Sequence, residues 1–270
     1  MLLIIISAIV FVFLYFLVGF LIAQKLNDNS IADIMWGGGF VGMTIVFIAL
    51  RRLYGDIDMT LMHVFTFLFV AMWGARLLYY IFKRNRKSGE DYRYQNMRKK
   101  WGKNVRINAF FKVFMTQGVF MLIVALPIIM IYAYPKTTLS TYENLGLFIG
   151  SMLFLFGFIF EAISDQQLRN FKHRPEMKGR ILKTGLWRFS RHPNYFGEAT
   201  LWWGLGLIAL SNTQVPYNYI ALIGPLVITI LVRFISGVPL LEAEMQKKEE
   251  FRDYAKKTSI FFPLPPKKIK

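Results

Sequence analysis

The chain has no cysteine, which excludes disulfide cross-links and thiolate metal sites. It is also poor in acidic residues, with 16 Asp and Glu against 33 Lys and Arg, a net charge of +17. Such an excess can mark a nucleic-acid binder. Here the basic residues lie in the connections between apolar runs, which is the distribution of membrane topology signals, so no nucleic-acid partner is expected. There is no long-period repeat, no Ser/Gly linker and no low-complexity stretch. The two halves do not read as inverted copies, which argues against a transporter.

Apolar side chains are abundant instead: 55% of the 270 residues are hydrophobic and 17% aromatic. A soluble domain of this length cannot hide that much apolar surface, so the composition points to an integral membrane protein. The first run, Leu2 to Ala23, has no basic residue before it and is too long for a signal-peptide core, so it reads as a retained span.

Seven spans are predicted: Leu2–Ala23, Ile34–Leu50, Leu61–Phe82, Ala109–Tyr134, Leu145–Ser164, Phe196–Leu210 and Tyr219–Leu241. Backbone groups in lipid must be bonded within their own segment, so the spans are expected to be helices. The connection Lys83–Asn108 carries ten Lys/Arg against two acids (net +8), and Asp165–Tyr195 carries eight against two (net +6). The tail after Leu241 carries eight against five (net +3). Arg51 and Arg52 are the exception among the weakly charged connections. Seven spans put all three basic segments on one face, the cytoplasmic one, with the N-terminus outside and the C-terminus inside. The expected fold is therefore an all-α, seven-helix membrane domain over residues 1–270. Its cytoplasmic parts are loops 83–108 and 165–195 and the tail 242–270. The tail sequence Phe261-Phe262-Pro263-Leu264-Pro265-Pro266, followed by Lys267 and Lys268, reads as interfacial, lying on headgroups.

Gly37-Gly38-Gly39-Phe40-Val41-Gly42 spells the dinucleotide fingerprint G-x-G-x-x-G, but it lies inside a membrane helix without the strand that motif requires. Small residues that let helices pack closely are the better reading.

Six places carry ionisable groups that packing does not readily explain, three of them weaker. Glu161, Asp165, Arg169 and Lys172 share one helix face at the end of the fifth span, and Glu161 still lies within the apolar run. An Asp165–Arg169 salt bridge facing water is the plainer alternative. The following loop holds Arg174, Lys178, Arg180, Lys183, Arg188 and Arg191, which suit topology signals and lipid headgroups singly, or an anionic ligand together. The heptad His192-Pro193-Asn194-Tyr195-Phe196-Gly197-Glu198 follows. Pro193 reads as a helix start and His192 as a cap or lipid-facing group, but neither accounts for a carboxylate, Glu198, just inside an apolar helix. Weaker candidates are Asp33, either a helix cap or functional, near Trp36; Arg76 with Tyr79 and Tyr80; and Arg233, with Glu242 and Glu244 as possible partners.

The run Lys183-Thr184-Gly185-Leu186-Trp187-Arg188-Phe189-Ser190-Arg191 leading into His192–Glu198 resembles the signature of the steroid 5-alpha-reductase superfamily, most closely its bacterial membrane branch. The resemblance extends to Asp33-Ile34-Met35-Trp36, Arg76, Arg84-Asn85, Glu90-Asp91-Tyr92-Arg93-Tyr94 and Ser236–Glu242. The core R-H-P-x-Y-x-G is also similar to isoprenylcysteine and phospholipid methyltransferases. Asn194 and Glu198, with Asp165 and Arg169, favour the reductases, among them the sterol C14 and Δ7 reductases.

The resemblance implies a bundle holding NADPH in a cavity open to the cytoplasm of an inner (plasma) membrane, and no metal. Asn194 and Glu198 would grip the nicotinamide end. Asp165, Arg169, Lys172, Arg180 and Arg233 would bind ribose, diphosphate or 2′-phosphate, with Arg84, Asn85, Arg191, His192 and Tyr195 completing the cofactor site. Hydride would pass to the β-carbon of a 3-oxo-Δ4 steroid or similar apolar enone. Asp33 best matches the carboxylate that polarises the substrate carbonyl, Glu198 is grouped with the catalytic residues, and Tyr79 is favoured over Tyr80 as the tyrosine. Trp36, Trp73 and Tyr80 would line the substrate. The mammalian histidine of the last span appears here as Gly237, so its role does not transfer. Two other readings stay open: an S-adenosylmethionine-dependent lipid or prenyl methyltransferase, and a non-catalytic lipid-sensing membrane protein.

Overall fold

The computed structural model describes residues 1–54, 59–85, 89–134 and 138–268, and the side chains of Arg84 and Asn85 also lie outside the described set. Parts of the expected connections (55–58, 86–88 and 135–137) and the last two residues of the tail fall outside it as well. The described chain is all-helical, and among these residues the only β-type pairing is an isolated parallel bridge between Ser190 and Ser259.

The elements are α1 (Leu2–Leu26), α2 (Ile31–Leu53), α3 (Leu61–Asn85), α4 (Tyr92–Trp101), α5 (Val105–Ala109), α6 (Thr116–Val124) and α7 (Leu126–Ala133). They continue as α8 (Thr141–Lys172), α9 (Pro193–Ser211), α10 (Ile223–Ile230), α11 (Val238–Met245) and α12 (Glu249–Lys257). π-helical turns at Phe110–Met115 and Leu231–Ile235 join α5 to α6 and extend α10.

Among the described residues, six helical stretches are long and apolar enough to cross a membrane, as in a multi-pass membrane protein: Leu2–Leu26, Ile31–Leu53, Leu61–Lys83, Tyr92–Val124, Thr141–Lys172 and Asn218–Met245. The seventh expected span, Phe196–Leu210, lies within the 19 residues of α9. That helix is long enough, but Pro193, Asn194 and Glu198 at its start make it too polar to join the six. The fourth span begins earlier than expected, because the basic connection after α3 is itself helical. Asp91 starts α4 by accepting the backbone N–H of Arg93 at 3.0 Å, an N-cap. Pro127 falls in the first turn of α7, where its missing N–H is tolerated, and separates that helix from α6.

The chain forms two compact units, Met1–Asn144 with Ala209–Ile223, and Leu145–Ile208 with Gly224–Lys270. In the first, α2 and α3 meet through glycine. A Cβ on Gly37 would stand 2.5 Å from the carbonyl oxygen of Gly74, and one on Gly39 would strike Met121. The G-x-G-x-x-G string is thus a packing surface, which permits the close backbone approach favoured between helices in lipid. Glu143 is fully buried in the same unit. Its carboxylate accepts the N–H and hydroxyl of Ser140 (both 2.8 Å) and those of Thr213 (2.9 and 2.8 Å), so each oxygen is satisfied.

In the second unit, α8 and α9 also cross backbone to backbone. Cβ atoms on Gly157 and Gly197 would lie 2.5 Å from the Leu201 nitrogen and 2.6 Å from the Glu161 nitrogen. Gly150 and Gly204 repeat the contact two turns along. This close crossing brings the polar end of α8 beside the start of α9.

Candidate active site

In the second unit, Glu161 and Asp165 of α8 are buried (3% and 5% exposed). The amide nitrogen of Asn194, in the first turn of α9, donates to Asp165 Oδ1 at 3.2 Å. A carboxylate only accepts, so this contact fixes the amide orientation. Asn194 Oδ1 then faces a buried environment with no hydrogen-bond partner among the described residues. An orphaned buried acceptor costs about 1–3 kcal/mol, and a ligand N–H would recover that loss. Glu198, one turn further along α9, is half-buried.

The loop before α9 is tied to the end of α8. Gln167 Oε1 accepts the Leu186 N–H at 3.0 Å, and the Trp187 indole donates to the Ser164 carbonyl at 3.1 Å. Gly185 has φ +63 and lies against Gln167, a position where a side chain would be both strained and obstructed. Arg169 contacts Gln166, and Arg180 is exposed. Arg233 sits in the π-helical turn, over the ring of Phe234 at 4.7 Å; such turns are frequent at functional sites.

Arg191 and His192 are engaged differently from the rest. Arg191 grips Glu242 with two parallel hydrogen bonds, Nε to Oε1 at 2.7 Å and Nη2 to Oε2 at 3.0 Å. Its Nη1 donates to the carbonyls of Ala255 and Thr258 at 2.9 and 3.0 Å. His192 Nε2 lies 3.0 Å from Glu242 Oε1, and its ring stacks on Tyr195. These contacts clasp the C-terminal segment against the start of α9. The Tyr254 hydroxyl adds bonds to the Trp187 and Ser190 carbonyls, and burial pushes that phenol above its usual range. Gly237 packs against Tyr195 and the Val232 carbonyl, so no histidine side chain fits at that position.

Burial lowers His192 from its ordinary value of 6.5; Glu242 opposes this, while Arg191 and Arg233 reinforce it. A histidine with a depressed folded value favours the folded state above 6.5, where both states are neutral, and that stability is lost as pH falls through the folded value. The melting temperature in detergent is therefore expected to decline from pH 7 toward pH 5, and His192→Gln should flatten part of that slope. An unchanged slope would remove His192 from the acid response.

Lys172 closes α8 in the second unit, whereas the candidates Asp33, Trp36, Trp73, Tyr79 and Tyr80 belong to the first. Asp33, in the first turn of α2, accepts Arg93 Nη2 at 2.7 Å and the Tyr94 hydroxyl at 2.6 Å. Arg93 also pairs with Asp91, and Glu90 accepts the Asn29 N–H at 2.8 Å and pairs with Arg98. The start of α2 and the Glu90–Arg98 segment are thus joined by ions. Trp36 stacks edge-on with Phe40 at 5.5 Å and Phe40 with Trp73 at 5.7 Å, and Trp73 is buried in the core. Tyr79 is 58% exposed and its hydroxyl meets Lys83 Nζ at 3.4 Å; Tyr80 is half-buried. The tyrosine that the structure brings to Asp33 is Tyr94, which sequence reading quoted within its segment but did not single out. Its signal was a tyrosine beside an arginine in a polar stretch that a span-counting reading treats as loop.

The chain matches, over residues 19–258, the family described as "Protein of unknown function (DUF1295)". An uncharacterised protein of Schizosaccharomyces pombe, C594.04c, is 26% identical over 219 residues, which span 71% of this chain and 60% of that protein. No solved structure matches. With nearly the whole helical region covered, the chain belongs to the DUF1295 family, the steroid 5-alpha-reductase-like group.

Proposed function

We propose that the protein is an NADPH-dependent reductase of the Δ4 double bond of a 3-oxo-Δ4 steroid or a similar apolar enone, of the bacterial membrane branch. In this reading the chain crosses the inner (plasma) membrane seven times, counting Phe196–Leu210, with its N-terminus outside. The loops 83–108 and 165–195 and the tail are cytoplasmic, and the cofactor cavity opens to that side. The observation that carries the reading is Asn194, oriented by Asp165 with a buried acceptor unmatched, as the carboxamide of a nicotinamide would require.

Asn194 and Glu198 would hold the nicotinamide end, and Asp165, Arg169, Lys172, Arg180 and Arg233 the ribose and phosphates, where arginine forks suit phosphate oxygens. Bound there, the dinucleotide supplies a hydride. Arg191 and His192 position these groups through Glu242 and the tail they clasp. At the enone, the β-carbon accepts hydride, negative charge develops on the oxygen, and a proton is then added at the α-carbon. Within the first unit, Asp33 holds the Tyr94 hydroxyl, and this pair is the one proposed to polarise an enone oxygen. A preorganised donor of this kind is worth about 3–4 kcal/mol in a dry site.

The test is NADPH oxidation by the detergent-purified protein with and without a 3-oxo-Δ4 steroid, beside Glu198→Gln. Steroid-dependent oxidation with reduced product, lost in the variant, is the expected result. Tight NADPH binding without oxidation would overturn the substrate class. No NADPH binding would overturn the reductase and favour the methyltransferase reading.

A further inference from the structure

The C-terminal segment folds back on the second unit in a way that the reductase reading does not use. Arg191 N–H donates to Ser259 (2.8 Å), Ser190 Oγ to Phe261 (2.8 Å), and Leu264 N–H to Phe189 (3.0 Å). Lys267 N–H then returns to the Lys257 carbonyl at 2.9 Å. That last bond holds two lysines side by side at the rim of an open groove of about 370 Å³, lined among others by Lys256, Lys257, Lys267, Ile260, Leu264 and Pro265. Lys256 pairs with Asp253 at 2.7 Å. Among the described residues Lys257 and Lys267 make no ion pair, and both are exposed. Backbone hydrogen bonds thus enforce a like-charge juxtaposition of two exposed lysines, with Asp253, already paired to Lys256, the nearby carboxylate that also acts on Lys257.

The groove's lining includes an exposed apolar side chain, Leu264 (55% exposed), and Phe262, two residues before it in the chain, is 64% exposed. Phe262 meets Phe196, in the first turn of α9, edge to face at 5.9 Å between ring centroids. Through Phe262 the segment that lines the groove stands at the level where an apolar helix begins, and the groove's lining combines apolar side chains with lysines. A soluble anion would leave the exposed Phe262 and Leu264 unexplained, whereas a lipid engages both features: its headgroup meets the lysines and its glycerol and first methylenes meet Leu264 and the neighbouring Phe262.

We propose that this groove is a binding site for an anionic phospholipid headgroup, which fastens the tail, and with it the Arg191–Glu242 clasp, to the membrane surface. The proposal rests on α9 meeting the membrane and is independent of NADPH and of the steroid. Each juxtamembrane lysine contributes on the order of 1 kcal/mol toward an anionic surface, so removing two weakens binding by about 30-fold.

The experiment is native mass spectrometry of the delipidated full chain in a neutral detergent, titrated with phosphatidylglycerol, phosphatidylcholine or inorganic phosphate. The wild type is expected to retain phosphatidylglycerol over phosphatidylcholine. Lys257→Gln/Lys267→Gln should bind it about 30-fold more weakly, and Lys99→Gln/Lys100→Gln, exposed lysines elsewhere, should match the wild type. The groove variant's lipid-free melting temperature should equal that of the wild type. Unchanged phosphatidylglycerol binding in the groove variant would overturn the site. Equal retention of phosphatidylcholine, or displacement of the lipid by inorganic phosphate, would overturn the ligand. Lost binding together with a lowered lipid-free melting temperature would make the lysines packing residues and overturn it as well.

Discussion

Tyr94→Phe is expected to lower steroid-dependent NADPH oxidation by about 10²–10³-fold in kcat, the loss that follows from deleting one donor to a developing oxyanion. The variant keeps the ring, its burial and its neighbours, and removes only the hydroxyl that meets Asp33 at 2.6 Å. NADPH binding should be unchanged, because the proposed cofactor residues of the second unit are untouched. Asp33→Asn should fall by a similar amount and should also loosen the protein, since Arg93 loses a carboxylate at 2.7 Å. Tyr79→Phe is the contrast: an exposed hydroxyl at 3.4 Å from Lys83 leaves activity within about threefold, since an exposed contact of that length is worth well under 1 kcal/mol. Single-turnover hydride transfer measured by the loss of NADPH absorbance separates the two. Full activity in Tyr94→Phe with a loss in Tyr79→Phe would return the acid to Tyr79, and the Asp33–Tyr94 bond would then be structural.

Gly157→Leu is expected to have the larger effect on the folded protein itself. A Cβ at Gly157 already falls 2.5 Å from the Leu201 nitrogen and 2.6 Å from the Gly197 carbonyl oxygen, both backbone atoms of α9 that no rotamer can move. Overpacking a core commonly costs about 1–3 kcal/mol, and more where backbone must shift, so α8 and α9 must separate. Separation pulls Asp165 from Asn194 and frees the amide that its carboxylate orients. The expected result is monodisperse protein in poor yield, with a melting temperature lowered by several degrees and NADPH affinity reduced at least tenfold. Gly102→Ala serves as the comparison, because nothing lies within 4 Å of its Cβ; its φ of +51 makes it a test of backbone strain alone. Wild-type NADPH affinity in Gly157→Leu would show that the crossing does not set the geometry of Asn194.

Much of this was legible in the residues. The apolar runs, the basic connections and the family signature around His192–Glu198 are local properties, and six of the seven expected spans reappear as helices long and apolar enough to cross a membrane. Phe196–Leu210 does not join them, for the same reason that it drew notice: a helix that begins with Asn194 and Glu198 gives up hydropathy to polar groups. Rejecting a dinucleotide loop at Gly37–Gly42 was also possible from sequence, because the required strand was missing, but only the fold gives those glycines their contacts at Gly74 and Met121.

What the sequence alone determined is composition-driven: a multi-pass helical protein, its basic segments, and a list of ionisable groups too costly in lipid to be there by accident. Which of those groups meet was decided by tertiary structure, because partners far apart in the chain carry no local signal. Arg191 and His192 enter the sequence reading as cofactor-site residues through the resemblance, and only the fold shows that Glu242, some fifty residues on, pairs with both. Asp33 lacks a tyrosine until α4, sixty-one residues later, brings Tyr94 to it. Residue type fixes what each side chain can donate or accept, and the close crossings that glycine allows fix which side chains come within reach.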